Sequence, residues 1–155
     1  MKTALREIIK GQTSVILREK AKKVEKVDAK ILAVLEDMTQ TLQNAGANGL
    51  AAPQVGVLLR LIVVRYEMNY LKLINPVIVK SAGEQMSMEG CPSLPGIYGK
   101  VKRPEMAVIE ALDVDGRRTE VKALYRHAAI FAHELDHLDG ILFIDKAIQI
   151  VTYRR

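Results

Sequence analysis

Two periods of apolar and polar residues divide this chain. Between Asp28 and Gly46, the residues Ile31, Val34, Leu35, Met38 and Leu42 recur at three- and four-residue spacing, which puts them on one face of a helix. Asp28 is a good N-cap and Gly46 a good stop, so the helix is bounded at both ends. Its stripe reads as core and not as a partner-binding surface. Leu59–Val64 and Lys72–Lys80 are rich in Val, Ile and Leu and read as strands. Pro76 within the second suggests an edge strand or a break. Met106–Leu112 and Thr119–Leu124 flank Asp113-Val114-Asp115-Gly116, a turn signal that predicts a hairpin. A second helix follows from about Ala123 to Leu138 and stops at Gly140, and Ile141–Ile144 reads as a last short strand. Gln54 and Cys91 fall on segments expected to be extended. One helix, a run of strands and a second helix argue for an α+β fold, with mixed or antiparallel sheets packed around the second helix. With no internal repeat, low-complexity tract or linker, residues 1–155 are expected to form one domain.

Composition narrows the class. At 155 residues, with 49% apolar and 26% charged positions, the chain is long enough to bury a sizeable core. The apolar runs are short and interrupted, as by Arg60 within Leu58–Val64, so no transmembrane helix is expected. Met1–Glu7 lacks the apolar stretch of a signal peptide, so a cytoplasmic location is expected and no membrane partner. The net charge of +5 is modest, and the basic run Arg18–Lys23 contains Glu19. That run reads as a solvated face, with no specific nucleic-acid partner implied.

The second helix changes the picture. It carries His133-Glu134-Leu135-Asp136-His137, where the four-residue spacing lets both imidazoles reach one metal ion. Glu134 beside them is placed to take a proton from an activated water. The plain alternative is an amphipathic helix with two ordinarily hydrogen-bonded histidines, so the third ligand decides. Phe143 stands where one version of this motif has a further histidine, and no Glu follows Glu134. Asp139 lies too close to His137 to share its face, and His127 projects from another side of the helix. Cys91, the only cysteine, remains. A free cysteine alone is usually a small buried hydrophobe. Joined to two histidines it gives three ligands with a fourth position open, the pattern of a catalytic site. Thiolate and imidazole suit Zn(II) and Fe(II) alike.

Three segments together resemble the peptide deformylase family: Asn48-Gly49-Leu50-Ala51-Ala52-Pro53-Gln54-Val55-Gly56, Glu89-Gly90-Cys91-Pro92-Ser93, and Ala132-His133-Glu134-Leu135-Asp136-His137. They follow the family's Gly-x-Gly-Leu-Ala-Ala-x-Gln, Glu-Gly-Cys-Leu-Ser and Gln-His-Glu-x-Asp-His motifs in order and spacing, over nearly the whole chain. The resemblance implies a hydrolase that removes the formyl group from N-formylmethionyl peptides. By residue, it implies that Cys91, His133 and His137 hold one divalent metal ion, commonly Fe(II), with Zn(II), Ni(II) or Co(II) also tolerated. It makes Glu134 the general base and later acid, and Gln54 a donor to the developing oxyanion. Gly49 and Leu50 would pair with the substrate backbone, Arg103 would lie near the site, and Ile130 would contact substrate. Weak ribosome association would fit the role, although the short stretch after Asp145 makes docking by a long C-terminal helix doubtful.

The chain also departs from the family. Pro92 stands where a leucine usually supplies a second oxyanion N–H, and proline has none. Loss of such a donor costs about a hundred- to a thousandfold in turnover, so a slow enzyme is expected. Ala47 replaces a motif glycine, in a loop that would favour φ > 0. Ala132 replaces the glutamine expected to brace the site. Arg126 lies on the His133 face, where an apolar wall is simpler, and it either reaches solvent along its stem or alters substrate choice. The competing readings are a hydrolase of other N-acyl groups, a weak N-terminal-peptide binding module, and a structural zinc site, which would want a fourth protein ligand.

Overall fold

The computed structural model describes residues 4–153. The first helix, α1 (Ala29–Ala45), forms as its pattern predicts. The Asp28 side chain accepts from the Ile31 N–H at 3.1 Å, and Gly46 closes the helix at φ 65°, a conformation that costs glycine little. Leu35, Met38 and Leu42 are fully buried.

Strands β1 (Gly49–Ala51), β2 (Leu61–Tyr66) and β3 (Asn69–Ala82) follow, then β4 (Gln85–Cys91), β5 (Leu94–Arg103), β6 (Met106–Leu112) and β7 (Arg118–Leu124). Helix α2 (Arg126–Leu138), a single turn α3 (Phe143–Lys146) and strand β8 (Gln149–Thr152) complete the described chain. The strands form a five-stranded sheet, β1-β2-β3-β6-β7, and a three-stranded sheet, β4-β5-β8. Every strand pair is antiparallel, and one isolated parallel bridge joins Lys22 to Leu59.

Strand β2 explains how the layers stack. Ile62 and Val64 pack with Phe131, Leu135 and Leu138 of α2, while Leu61 and Val63 pack with Leu35, Met38 and Leu42 of α1. Both faces are covered, which is why this strand reads as an unbroken apolar run. A third cluster, including Cys91, Leu94, Leu142 and Phe143, fills the space below the smaller sheet.

Several assignments differ from the sequence reading. Strand β2 begins and ends later than Leu59–Val64 and β3 runs longer than Lys72–Lys80, the two meeting in a tight turn whose Glu67 has φ 56°. Pro76 does not mark an edge, because β3 lies between β2 and β6. The break is there: the register shifts between Ile74 and Val77, and Asn75 takes φ 54°. Asn75 bonds Val24 through both side-chain atoms, at 2.8 and 2.9 Å. The proline falls where β3 passes from pairing with β2 to pairing with β6, so its missing N–H interrupts no continuous ladder. Helix α2 starts at Arg126 and not near Ala123, because Ala123 and Leu124 pair with Ala107 and Met106. Ile141–Ile144 is not a strand. Leu142 and Phe143 are buried, and the Asp145 carboxylate accepts from the Leu142 N–H at 2.9 Å, closing the α3 turn. Gln54 also departs from its expected extended segment, lying in a short 3₁₀ turn, Ala52–Val55.

Candidate metal centre and cleft

Helix α2 carries His133 and His137 one turn apart, and β4 ends on Cys91 beside them. Ligand atoms of the three residues all lie within 4.8 Å of one another. The Cys91 Sγ is 3.4 Å from His137 Nε2. All three side chains are buried, and the thiol is free. A register shift between Gly90 and Cys91 turns the end of β4 inward, and the Cys91–Leu94 turn then starts β5.

A chain of charges orients this trio. His133 Nδ1 lies 2.8 Å from Glu89 Oε1. Arg103 holds the same carboxylate with two bonds, Nη2 at 2.8 Å and Nε at 2.9 Å. Its Nη1 reaches Asp136 Oδ2 at 2.7 Å, and Lys146 Nζ meets Asp136 Oδ1 at 3.1 Å. A buried bidentate pair of this kind fixes geometry as well as charge. Burial would raise the Glu89 carboxyl, but hydrogen bonds from Arg103 and His133 outweigh it and hold it at about 2. Arg103 would be lowered by burial, but Glu89 and Asp136 keep it above its ordinary value. Burial, reinforced by the charges of His133 and Arg103, keeps His137 well below the ordinary histidine range and neutral.

Glu134 lies against the backbone of β1. A Cβ on Gly49 would stand 2.6 Å from Glu134 Oε2, so only glycine leaves the carboxylate its place. Among the described residues Glu134 Oε1 has no hydrogen-bond partner although it is buried. Burial first of all lifts this carboxyl to about 7, with the charge on His133 opposing, a value suited to proton transfer near neutrality. Gln54 is 1% exposed. Its Oε1 accepts from the Ala51 N–H at 2.9 Å, which turns the amide nitrogen toward Cys91 Sγ at 3.4 Å and Ser93 Oγ at 3.2 Å.

This donor set fits one divalent ion. A thiol and two imidazoles converge, and His133 is engaged through Nδ1, which leaves Nε2 for a metal. A buried carboxylate oxygen without a partner stands beside them. Three protein ligands, not four, leave a position for water, which disfavours a purely structural site.

Above the trio opens a cleft of about 1550 Å³ between the β1 edge, β4 and the start of α2. Gly49 and Ile130 line it, as do Pro92, Met88, Tyr125 and Arg126. Leu50 does not: its side chain is fully buried in the α1 core, so only its backbone is available to a ligand. Arg103 sits beneath the cleft, paired with Glu89 and Asp136. His127 is away from the trio, its ring 4.7 Å from that of Tyr66. Asp139 pairs with Arg60 and Asp145 with Arg18. Ala47 is not among the residues with positive φ, so the glycine it replaces is not demanded here. Two contributors escaped the sequence reading. Glu89 lies two residues before Cys91, hence on the same side of a strand, and Asp136 lies one helical turn after His133.

The family model for polypeptide deformylase matches residues 5–152. A peptide deformylase of Acetivibrio thermocellus is 48% identical over 136 residues, covering 88% of this chain and 80% of that protein. Peptide deformylase 2 of Clostridium acetobutylicum is 47% identical over 150 residues, covering 96% of this chain and 99% of its own. A Met-Ala-Ser-bound class I type b peptide deformylase from Acinetobacter baumannii superposes with TM-score 0.88 at 30% identity, over 94% of this chain and 99% of that one.

Proposed function

Since the chain belongs to the polypeptide deformylase family, we propose that it hydrolyses the formyl amide of N-formylmethionyl peptides, with Cys91, His133 and His137 holding one Fe(II) ion. The observation that carries this reading is the buried, unpartnered Glu134 carboxylate beside three convergent ligands. When bound, the ion supplies Lewis-acid polarisation and a water activated at neutral pH.

The chain's own residues do the rest. The substrate peptide lies in the cleft along the free edge of β1, where the Gly49 and Leu50 backbone pairs with it as a neighbouring strand. Its first side chain packs against Ile130. Glu134 removes a proton from the attacking water and delivers it to the departing amine, which its raised pKa favours. Gln54 Nε2 donates to the oxygen on which negative charge grows, its orientation fixed in advance by the Ala51 N–H. Pro92 offers no second N–H from the Cys91–Leu94 turn, so the reaction runs slower than with two donors. Arg103 and Glu89 hold the His133 ring in the tautomer that leaves Nε2 free.

Among the described residues no helix is long and apolar enough to cross a membrane. A cytoplasmic location with weak ribosomal contact through the net charge of +5 is part of the same reading, and cosedimentation at varied salt tests it. The decisive experiment measures formate release from formyl-Met-Ala-Ser by anaerobically purified, Fe(II)-loaded protein. Turnover that disappears in Glu134→Ala at equal metal content is expected. Absence of turnover from metal-replete wild type would overturn the reading.

A further inference from the structure

We propose that Arg126 makes the cleft selective for peptides with an acidic third residue. This inference rests on the deformylase reading and adds a preference that the metal-proximal residues do not supply. Arg126 is exposed on the cleft wall and is the first residue of α2. Among the described residues it takes part in no ion pair. The other full charges lining the cleft, Glu89 and Glu134, lie at its buried floor, and Glu89 is already paired. Glu105, whose carbonyl holds the Tyr125 N–H at 2.6 Å, has its carboxylate beside Gly83.

Two features show that helix stability does not account for a cation here. A positive side chain in the first turn opposes the helix dipole, and the first turn of α2 contains no acid to offset it. The residue before it, Tyr125, takes φ 48° and ψ −113°, a strained conformation for a bulky side chain. Tyr125 is pinned there by its N–H to Glu105 and by its carbonyl, which accepts from Gln85 at 2.7 Å and from Ala129 at 3.0 Å. The strain thus fixes where the helix begins and brings Arg126 to the cleft.

Position follows from helix and strand geometry. Seven residues separate Arg126 from His133, two turns along the same face, or about 10 Å. An extended peptide advances about 3.3 Å per residue, so a side chain about 10 Å from the reacting amide belongs to the third residue. A carboxylate there meets an unpaired guanidinium, whereas an ammonium is repelled.

The test compares kcat/KM of the metal-replete enzyme for C-terminally amidated formyl-Met-Ala-Glu and formyl-Met-Ala-Lys. Amidation ensures that the only carboxylate is the side chain. Wild type is expected to favour the glutamate peptide by about two- to fivefold, as for a solvent-exposed ion pair. Arg126→Leu should bring the ratio near one, and Arg126→Glu should invert it. Calorimetric titration with the deformylated amides, Met-Ala-Glu and Met-Ala-Lys, should give the same order of Kd. A ratio that stays the same in all three proteins, by kinetics and by calorimetry, overturns the proposal. If no peptide is deformylated, the function reading fails separately, and the calorimetric ratio still decides the role of Arg126.

Discussion

Replacing Gly49 with alanine tests how closely the fold is fitted to its proposed proton carrier. Gly49 is buried in β1 and is not among the residues with positive φ, so its backbone admits an alanine. The obstacle is steric. The new methyl would stand 2.6, 2.8 and 2.9 Å from Glu134 Oε2, Cγ and Cδ, well inside the roughly 3.5–4.0 Å of a comfortable carbon contact. The strand cannot withdraw: Gly49, Leu50 and Ala51 pair with Val64, Val63 and Ile62, and Leu50 and Ala51 are fully buried. The contacts reach Cγ as well as the tip, so Glu134 must change rotamer. Overpacking of this kind costs about 1–3 kcal/mol, or a fall in melting temperature of about 2–4 °C per kcal/mol. General acid–base catalysis contributes about 10²–10⁴-fold, so kcat should fall by about a hundredfold or more. Bound metal should stay near one per chain, because Cys91, His133 and His137 are untouched. Steady-state kinetics, calorimetry and metal analysis on one preparation separate these effects. Near-wild-type kcat in a folded, metal-replete Gly49→Ala protein would refute the assignment of Glu134.

Pro92→Leu restores an N–H to the Cys91–Leu94 turn and should raise kcat by about a hundred- to a thousandfold; an unchanged kcat would mean that another donor already serves. Glu89→Gln removes the negative charge that holds His133 and Arg103, so metal affinity should fall about ten- to a hundredfold, measured by competition with a chelator of known affinity. Asp145 gives a pH signature of stability. Burial raises its carboxyl, but the Arg18 bond and charge and the Leu142 N–H together outweigh this and hold it below its ordinary 3.8. A depressed carboxyl stabilises the fold fully above the unfolded value and loses that contribution as pH falls through the folded one. Thermal melts of wild type and Asp145→Asn should therefore differ at pH 5–6 and converge as pH falls below 3.8 and through the depressed folded value; parallel curves would exclude the pair from acid stability.

Much of this was legible in the sequence because the signals were local. Asp28 caps α1 through its side chain and Gly46 ends it in the left-handed region, and the Asp113–Gly116 turn joins β6 to β7 as the expected hairpin. The trio of Cys91, His133 and His137 could be inferred because each ligand type is scarce here, so elimination left few choices. Failures came where long-range pairing overrode local pattern. Ala123 and Leu124 have helix-compatible chemistry but complete the β6–β7 ladder. Phe143 and Ile144 are strand formers that make a turn instead, because Asp145 caps Leu142 and Phe143 fills the third core cluster. Strand β8 carries no buried residue, so no alternation marks it, and its place comes from pairing with β5.

The departures from the family motifs do not weigh equally once the geometry is known. Ala132 was expected to remove a side chain that braces the site from outside. Yet the ring is held from the other side, by Glu89 in β4, which Arg103 in β5 grips with two bonds. The brace spans two strands and a helix, so trimming a neighbour on the helix leaves it intact. Ala47 needs no glycine either, since the left-handed position of that loop is taken by Gly46 and Ala47 itself does not have a positive φ. Pro92 is different in kind. A lost side chain leaves space that packing elsewhere compensates, whereas a lost backbone N–H removes a donor at one fixed point of the turn. Ser93 does not replace it, because its hydroxyl is fully buried and lies against Gln54 Nε2. In the proposed mechanism Gln54 is therefore left as the oxyanion donor, and its anchoring on the Ala51 N–H matters more there than it would beside a second donor.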